Sequence, residues 1–233
     1  MKKGVLFIVT GEFYTGCAVA AAHSVAKTNP DIPIAIFTDQ TITDPVFLSV
    51  GRIENPHPRS KVDYLNSSPF EHTLYLDSDV RVVSSLEDLF RLLERFELAA
   101  AQVRYRFSLK RNRVWRHELP KSFPQLNCGV LLYRNTPGVV EFFTAWSNAF
   151  HKEGFTKDQV AFRELLWLSS IRFYVFGPEF NTRSLNYGIL PTKQPQPVIL
   201  HLQGFHARSR LRKLFEEIRL LPTELRRWMG WGV

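Results

Sequence analysis

The stretch Leu74-Tyr75-Leu76-Asp77-Ser78-Asp79-Val80 is a short apolar run of strand length that stops in two carboxylates one residue apart. Two aspartates at the mouth of a strand can turn both side chains toward a hard cation, which would bridge phosphate oxygens and neutralise their charge. The same pattern also occurs in surface turns and helix caps, where the carboxylates accept from backbone N–H groups. Which reading holds depends on what surrounds the pair.

Upstream, residues 4–10 (GVLFIVT) form a β-branched apolar run, followed by a Gly-containing turn and an Ala-rich helical stretch at 17–27. A second apolar run at 34–37 ends in Thr38-Asp39, and the run at 73–76 ends in Asp77. Helical patterns are expected at 60–65, 85–96, 138–151 (after Pro137, a favoured first-turn residue) and 159–168. Further strands are expected at 98–103, 129–133, 173–176 and 198–200. Alternating β and α elements predict an α/β domain with a mainly parallel central sheet and helices on both faces. In such sheets ligands bind beyond the carboxyl ends of the strands, where Thr10, Asp39, Asp77 and His201 all fall.

The chain has 233 residues, 45% of them apolar, enough for one domain over 1–206 followed by a tail at 207–233. Its two cysteines, Cys17 and Cys128, lack paired-ligand spacing, which argues against a disulfide scaffold and a structural zinc site. The apolar run after Met1-Lys2-Lys3 gives way to Glu12, too soon for a signal peptide, and no apolar stretch is long enough to span a bilayer. A cytoplasmic protein is expected. The net charge of +8 favours acidic partners and is concentrated at 208–227. Arginines with Leu211, Leu214, Phe215, Trp228 and Trp231 give the tail an amphipathic pattern. It suits either the anionic cytoplasmic face of a membrane or a terminal helix packed on the domain. Residues 104–123 read as a long loop or lid over the site, and 191–197 as a proline-stiffened loop.

Several motifs then follow in order: Arg59-Ser60-Lys61, Ser68-Pro69-Phe70, the Asp77-Ser78-Asp79 segment, Leu126-Asn127-Cys128-Gly129-Val130, Lys157-Asp158-Gln159, Pro178-Glu179-Phe180-Asn181 and Leu200-His201-Leu202-Gln203-Gly204. Together they resemble the GT-A nucleotide-diphospho-sugar transferases of glycosyltransferase family 8, the glycogenin and bacterial lipopolysaccharide galactosyltransferase type. The resemblance runs to about His201. It implies a single Rossmann-like GT-A domain that moves a sugar from a nucleotide-diphosphate donor, a UDP-sugar, to an acceptor such as a glycan or lipid-linked sugar, with retention of configuration.

By the same resemblance, Asp77, Asp79 and His201 would ligate Mn²⁺ or Mg²⁺, and the imidazole nitrogen favours Mn²⁺. Val9, Thr10 and Tyr14 would hold the uracil, and Ser78 would lie with its flanking aspartates on the donor side. Lys61, sixteen positions before Asp77, would counter charge on the leaving diphosphate. Asn127, Asp158 and Gln159 would line the sugar and acceptor side, with Gln159 stabilising an oxocarbenium-like species rather than attacking it. Each residue also has an ordinary structural reading. Tyr14 would be a core aromatic, Lys61 a solvated lysine, Asn127 a turn residue, Asp158-Gln159 a first helical turn, and His201 a strand-end hydrogen-bonding group.

Two departures from the family pattern bear on sugar identity. Phe205-His206-Ala207-Arg208 stands where a Lys-Pro-Trp often follows the His-x-x-Gly, and no acidic donor-binding residue is evident around Ala99-Ala100-Ala101-Gln102. A phosphatase of the haloacid-dehalogenase type also uses Asp-x-Asp with Mg²⁺, but there the motif opens the chain. A basic nucleic-acid-binding domain would use Tyr105, Phe107 and Trp115 for stacking but leaves the paired aspartates and His201 without a role. No nucleic-acid partner is expected.

Overall fold

The computed structural model describes residues 3–103, 114–123, 125–183 and 196–202. Its first strand, β1 (Lys3–Val9), is buried on both faces, as expected of a central strand in an α/β sheet. Val5, Phe7 and Val9 enter one core while Leu6 and Ile8 enter the other. Helix α1 (Glu12–Thr28) covers the first face through Ala18, Ala21, Ala22 and Val25, all without solvent exposure. The second face is covered by α2 (Lys61–Tyr64), α4 (Pro137–Lys152) and α5 (Gln159–Leu168), which pack Val62, Phe142, Phe143, Trp146 and Phe162 around Leu6 and Tyr133.

The remaining strands are β2 (Ile34–Thr38), β3 (Ser49–Arg52), β4 (His72–Leu76), β6 (Leu98–Gln102), β7 (Leu126–Arg134) and β8 (Phe173–Phe176). With β1 they form a seven-stranded sheet in the order β3-β2-β1-β4-β7-β6-β8. Only β7 runs against the others, pairing antiparallel with β4 and β6. The expected mainly parallel sheet with helices on both faces is therefore what the chain forms.

Four local expectations are corrected. Residues 198–200 are not a strand of the main sheet. Instead β9 (Ile199–His201) pairs antiparallel with β5 (Val80–Val82) in a separate two-stranded ribbon. The helix expected over 85–96 is α3 (Glu87–Arg91) followed by a 3-10 turn at Leu92–Glu94, and the one at 60–65 is likewise the short α2 with a 3-10 turn at Leu65–Ser67. Finally, α1 begins five residues earlier than its alanine run. Gly11 makes that start possible, with a φ of 82 that a side chain would disfavour and an N–H donating to Asp39 Oδ1 at 2.8 Å.

Among the described residues no helix is long and apolar enough to cross a membrane. The tail at 207–233, most of the proline-rich loop, residues 104–113 of the lid segment and the Phe205-His206-Ala207-Arg208 departure lie outside the described residues.

Candidate active site

Three chain segments meet at the carboxyl end of β4. The Asp77 N–H donates to Gly129 O at 2.8 Å, which continues the β4–β7 pairing one step past Leu76 and fixes where the first aspartate leaves the sheet. Three residues after Asp77 β5 begins, and its first residue, Val80, pairs with His201. That register sets His201 Nε2 3.0 Å from Asp79 Oδ1 and 3.8 Å from Asp77 Oδ2. Nδ1 lies 2.7 Å from Asn181 Oδ1, so Nδ1 carries the proton and Nε2 is the nitrogen turned to the carboxylates.

Asp77, Asp79 and His201 each offer one ligand atom, and these atoms all lie within 4.8 Å of one another. Two carboxylate oxygens and one imidazole nitrogen form a donor set that fits Mn²⁺ or Mg²⁺. Gly129 supplies independent support for the fit. A Cβ at that position would lie 2.3 Å from His201 Cε1 and 2.4 Å from Asp77 Oδ2, so the ligand side chains occupy space that only glycine leaves open. Asn127 closes the same corner, its Oδ1 accepting from the Gly129 N–H at 2.9 Å.

Behind this triad lies a buried ion cluster. Lys61 Nζ is 3.0 Å from Asp158 Oδ2, and it donates to Asp77 Oδ1 at 3.2 Å and to Cys128 O at 3.0 Å. Burial disfavours the Lys61 ammonium, but Asp158 and Asp77 outweigh it and hold the group above its ordinary range. Burial likewise pushes the Asp158 carboxyl up, and Lys61 and Arg59 overcome this and keep it ionised. Tyr75 donates its hydroxyl to Asp77 Oδ1 at 2.6 Å. Burial and then the Asp77 charge raise its phenol well above the ordinary value, so it remains a donor. Lys61 is thus a buried, anchored cation and not a solvated one.

A cleft of about 860 Å³ opens from the aspartates along the carboxyl ends of β1 and β2. Val9, Thr10, Tyr14, Asp39, Arg59, Lys61, Asp77, Ser78 and Asp79 line it, which brings the residues assigned to the donor side to one surface. Tyr14 is 57% exposed and its neighbour Phe13 56%, with their rings edge to face at 5.3 Å, so Tyr14 is not a core aromatic. Thr10 Oγ1 donates to His57 O at 3.3 Å and braces the far wall.

The residues assigned to the sugar side are placed differently. The Asp158 carboxylate is buried against Lys61, while Asn127 faces Gly129. Gln159 opens α5 and is half-buried. Trp115, one of the stacking candidates, packs edge to face on Phe155 at 5.9 Å against the second core, and Tyr105 and Phe107 lie outside the described residues.

Sequence reasoning gave no role to Asn181, Tyr75, Phe13 or Arg183. Asn181 lies within the Pro178-Glu179-Phe180-Asn181 motif and Phe13 beside Tyr14, but Arg183 carries no signal. No protein-family model matches the sequence, and no curated protein matches it significantly.

Solved structures do match. The galactosyltransferase LgtC, crystallised with donor and acceptor sugar analogues, superposes with a TM-score of 0.66 at 16% identity, over 98% of this chain and 100% of that one. The chain has the GT-A fold of these enzymes. The glycosyltransferase GlyE of Streptococcus pneumoniae TIGR4 gives a TM-score of 0.62 at 20% identity over 98% of this chain, which spans 63% of the GlyE chain. Mouse xyloside xylosyltransferase 1 gives 0.54 at 11% identity, over 86% of this chain and 97% of that one. In this GT-A chain the Asp-Ser-Asp segment follows β4, the middle strand of the seven, and opens onto the cleft.

Proposed function

We propose that the protein is a metal-dependent glycosyltransferase that takes a sugar from a UDP-sugar and transfers it with retention to a glycan or lipid-linked acceptor. The observation that carries this reading is the convergence of Asp77, Asp79 and His201 at the inner end of a cleft lined by Tyr14, Val9 and Thr10. Asp77, Asp79 and His201 would hold Mn²⁺ or Mg²⁺, which would supply charge neutralisation for the diphosphate leaving group.

The chain's own residues have distinct tasks in this reading. Tyr14, with Phe13 beside it, offers an exposed aromatic face to the base, and Val9 and Thr10 offer backbone groups at the strand end. Ser78, between the two aspartates, borders the diphosphate. Lys61 keeps Asp77 and Asp158 fixed and adds positive potential beneath the leaving group. Asp158, paired with Lys61, sets the start of α5 and hence the position of Gln159, which would face the anomeric carbon. Asn127 keeps Gly129 and the ligand corner in register.

Calorimetry with UDP, with and without Mn²⁺, on wild type and Asp79→Ala tests the proposal. The expected outcome is UDP binding that requires Mn²⁺ and is weakened at least about a hundredfold, roughly 2.7 kcal/mol, in the variant. UDP binding indifferent to both Mn²⁺ and Asp79 would overturn it.

A further inference from the structure

Asn181, Thr182 and Arg183 follow one another along a short bracket beside β9. Thr182 bridges to Leu200 in parallel sense, donating its N–H to Ile199 O at 2.9 Å while its own carbonyl accepts from the His201 N–H at 2.9 Å. Asn181 closes the 3-10 turn Pro178–Asn181, and the Thr182 hydrogen bonds to β9 hold the residues on either side of it against His201. Asn181 and Arg183 accordingly both reach the imidazole of His201, Asn181 Oδ1 at 2.7 Å from Nδ1 and Arg183 Nη1 at 3.3 Å from Nε2. The first contact orients the ring. The second sets a permanent cation against the nitrogen that faces Asp77 and Asp79.

Nε2 has one lone pair, and a guanidinium carries donors only. For His201 to ligate a dication through Nε2, Arg183 must turn away. A guanidinium released at that point lies beside the paired carboxylates, and its planar fork of N–H groups matches phosphate oxygens. Lys61 cannot serve in the same way, because it is buried and engaged by Asp158, Asp77 and Cys128 O.

We propose that Arg183 is a phosphate-binding residue that doubles as an internal counter-cation, resting on His201 beside Asp79 and passing to the diphosphate when dication and nucleotide enter together. This rests on the donor-binding reading given above. It makes the two ligands cooperative. A dication alone must displace Arg183 with no acceptor to receive it, whereas a nucleoside diphosphate supplies that acceptor.

The test uses the full chain as wild type, Arg183→Gln and Arg183→Lys, titrated with Mn²⁺ alone and then with UDP at saturating Mn²⁺. Arg183→Gln is expected to bind Mn²⁺ alone about tenfold tighter and UDP about tenfold weaker, the scale of one charge-assisted hydrogen bond. Arg183→Lys should recover part of the UDP affinity. Partial unfolding would weaken both affinities, so shifts of opposite sign cannot come from a misfolded variant. The proposal is overturned if Arg183→Gln binds Mn²⁺ no tighter than wild type, or if its UDP affinity stays within twofold. Wild-type data judge the donor reading separately: no Mn²⁺-dependent UDP binding there removes that reading and the phosphate role of Arg183 with it.

Discussion

At Gly129 a missing methyl group decides whether Asp77 and His201 can face each other. A Cβ there would press on both, at 2.4 Å from Asp77 Oδ2 and 2.3 Å from His201 Cε1, and neither side chain has room to yield because His201 is 2% exposed and Asp77 is held by Tyr75 and Lys61. Gly129→Ala should therefore cost about 1–3 kcal/mol of stability from overpacking and weaken Mn²⁺-dependent UDP binding at least about tenfold, measured by urea unfolding and calorimetry. Unchanged binding would show that the three side chains do not act as one ligand set. Much of this corner was legible in the sequence. Asp77, Asp79 and His201 stood in recognisable motifs, and Lys61 at its spacing from Asp77. Arg183 was not legible, because nothing in a linear chain marks which arginine a bracket of three residues will turn onto a distant histidine.

Among the elements, α5 has a role that its position between a loop and an edge strand does not suggest. Its Arg163 donates to Phe123 O and Pro120 O, and its Glu164 accepts from the N–H groups of Arg116 and His117 and from the His117 ring. Both side chains are buried, so one helix clamps residues 114–123 while its first residue is Gln159. Burial pushes the Glu164 carboxyl up, but the Arg116 N–H and the His117 ring and N–H outweigh it and hold the group below its ordinary value. Glu164→Gln should speed amide hydrogen exchange at Arg116 and His117 while leaving the centre of α5 protected, and should lower stability by about 1–2 kcal/mol. Equal exchange in the two proteins would show that the clamp is not what holds the segment.

Long elements with clear periodicity were readable at this scale. Helix α5 matches its expected bounds, and α4 and the buried strands come within a few residues of theirs. The ribbon of β5 and β9 was not readable, since strands of three residues carry no period and their pairing is set by tertiary contact. That ribbon is nonetheless what carries His201 to Asp79.

For the whole molecule, the fold stores negative charge in places where the solvent cannot reach it. Asp158 is kept ionised by Lys61 and Arg59 against the cost of burial, and Glu164 by the donors of 114–123. Both groups have folded values below their unfolded ones, so their stabilisation is fully present above the unfolded carboxylate range. It is lost as pH falls through the lower folded values. Stability measured by urea unfolding should therefore be flat from about pH 6 to 5 with respect to these two groups and decline below about pH 4. Asp158→Asn leaves Lys61 without its closest counter-charge and should cost about 3 kcal/mol at neutral pH, with a shallower acid decline. An acid profile identical to wild type would contradict the pairing.

The α/β architecture and its mainly parallel sheet were readable from alternating strand and helix patterns, because burial on both faces leaves near-continuous apolar runs such as 4–9. The division of labour around the cleft was less readable. Asp158 reads in the sequence as a residue offered to sugar hydroxyls, and the packed structure adds its pairing with Lys61.

The proposed function requires that Asp77, Asp79 and His201 together hold a cation that carries a nucleoside diphosphate. A crystal structure of the protein grown with Mn²⁺ and UDP, with data collected at the manganese absorption edge, tests it most directly. One anomalous peak is expected at coordination distance from all three side chains and from the UDP phosphates, with the uracil against Tyr14. UDP bound elsewhere, or a peak that omits His201 or either aspartate, would contradict it.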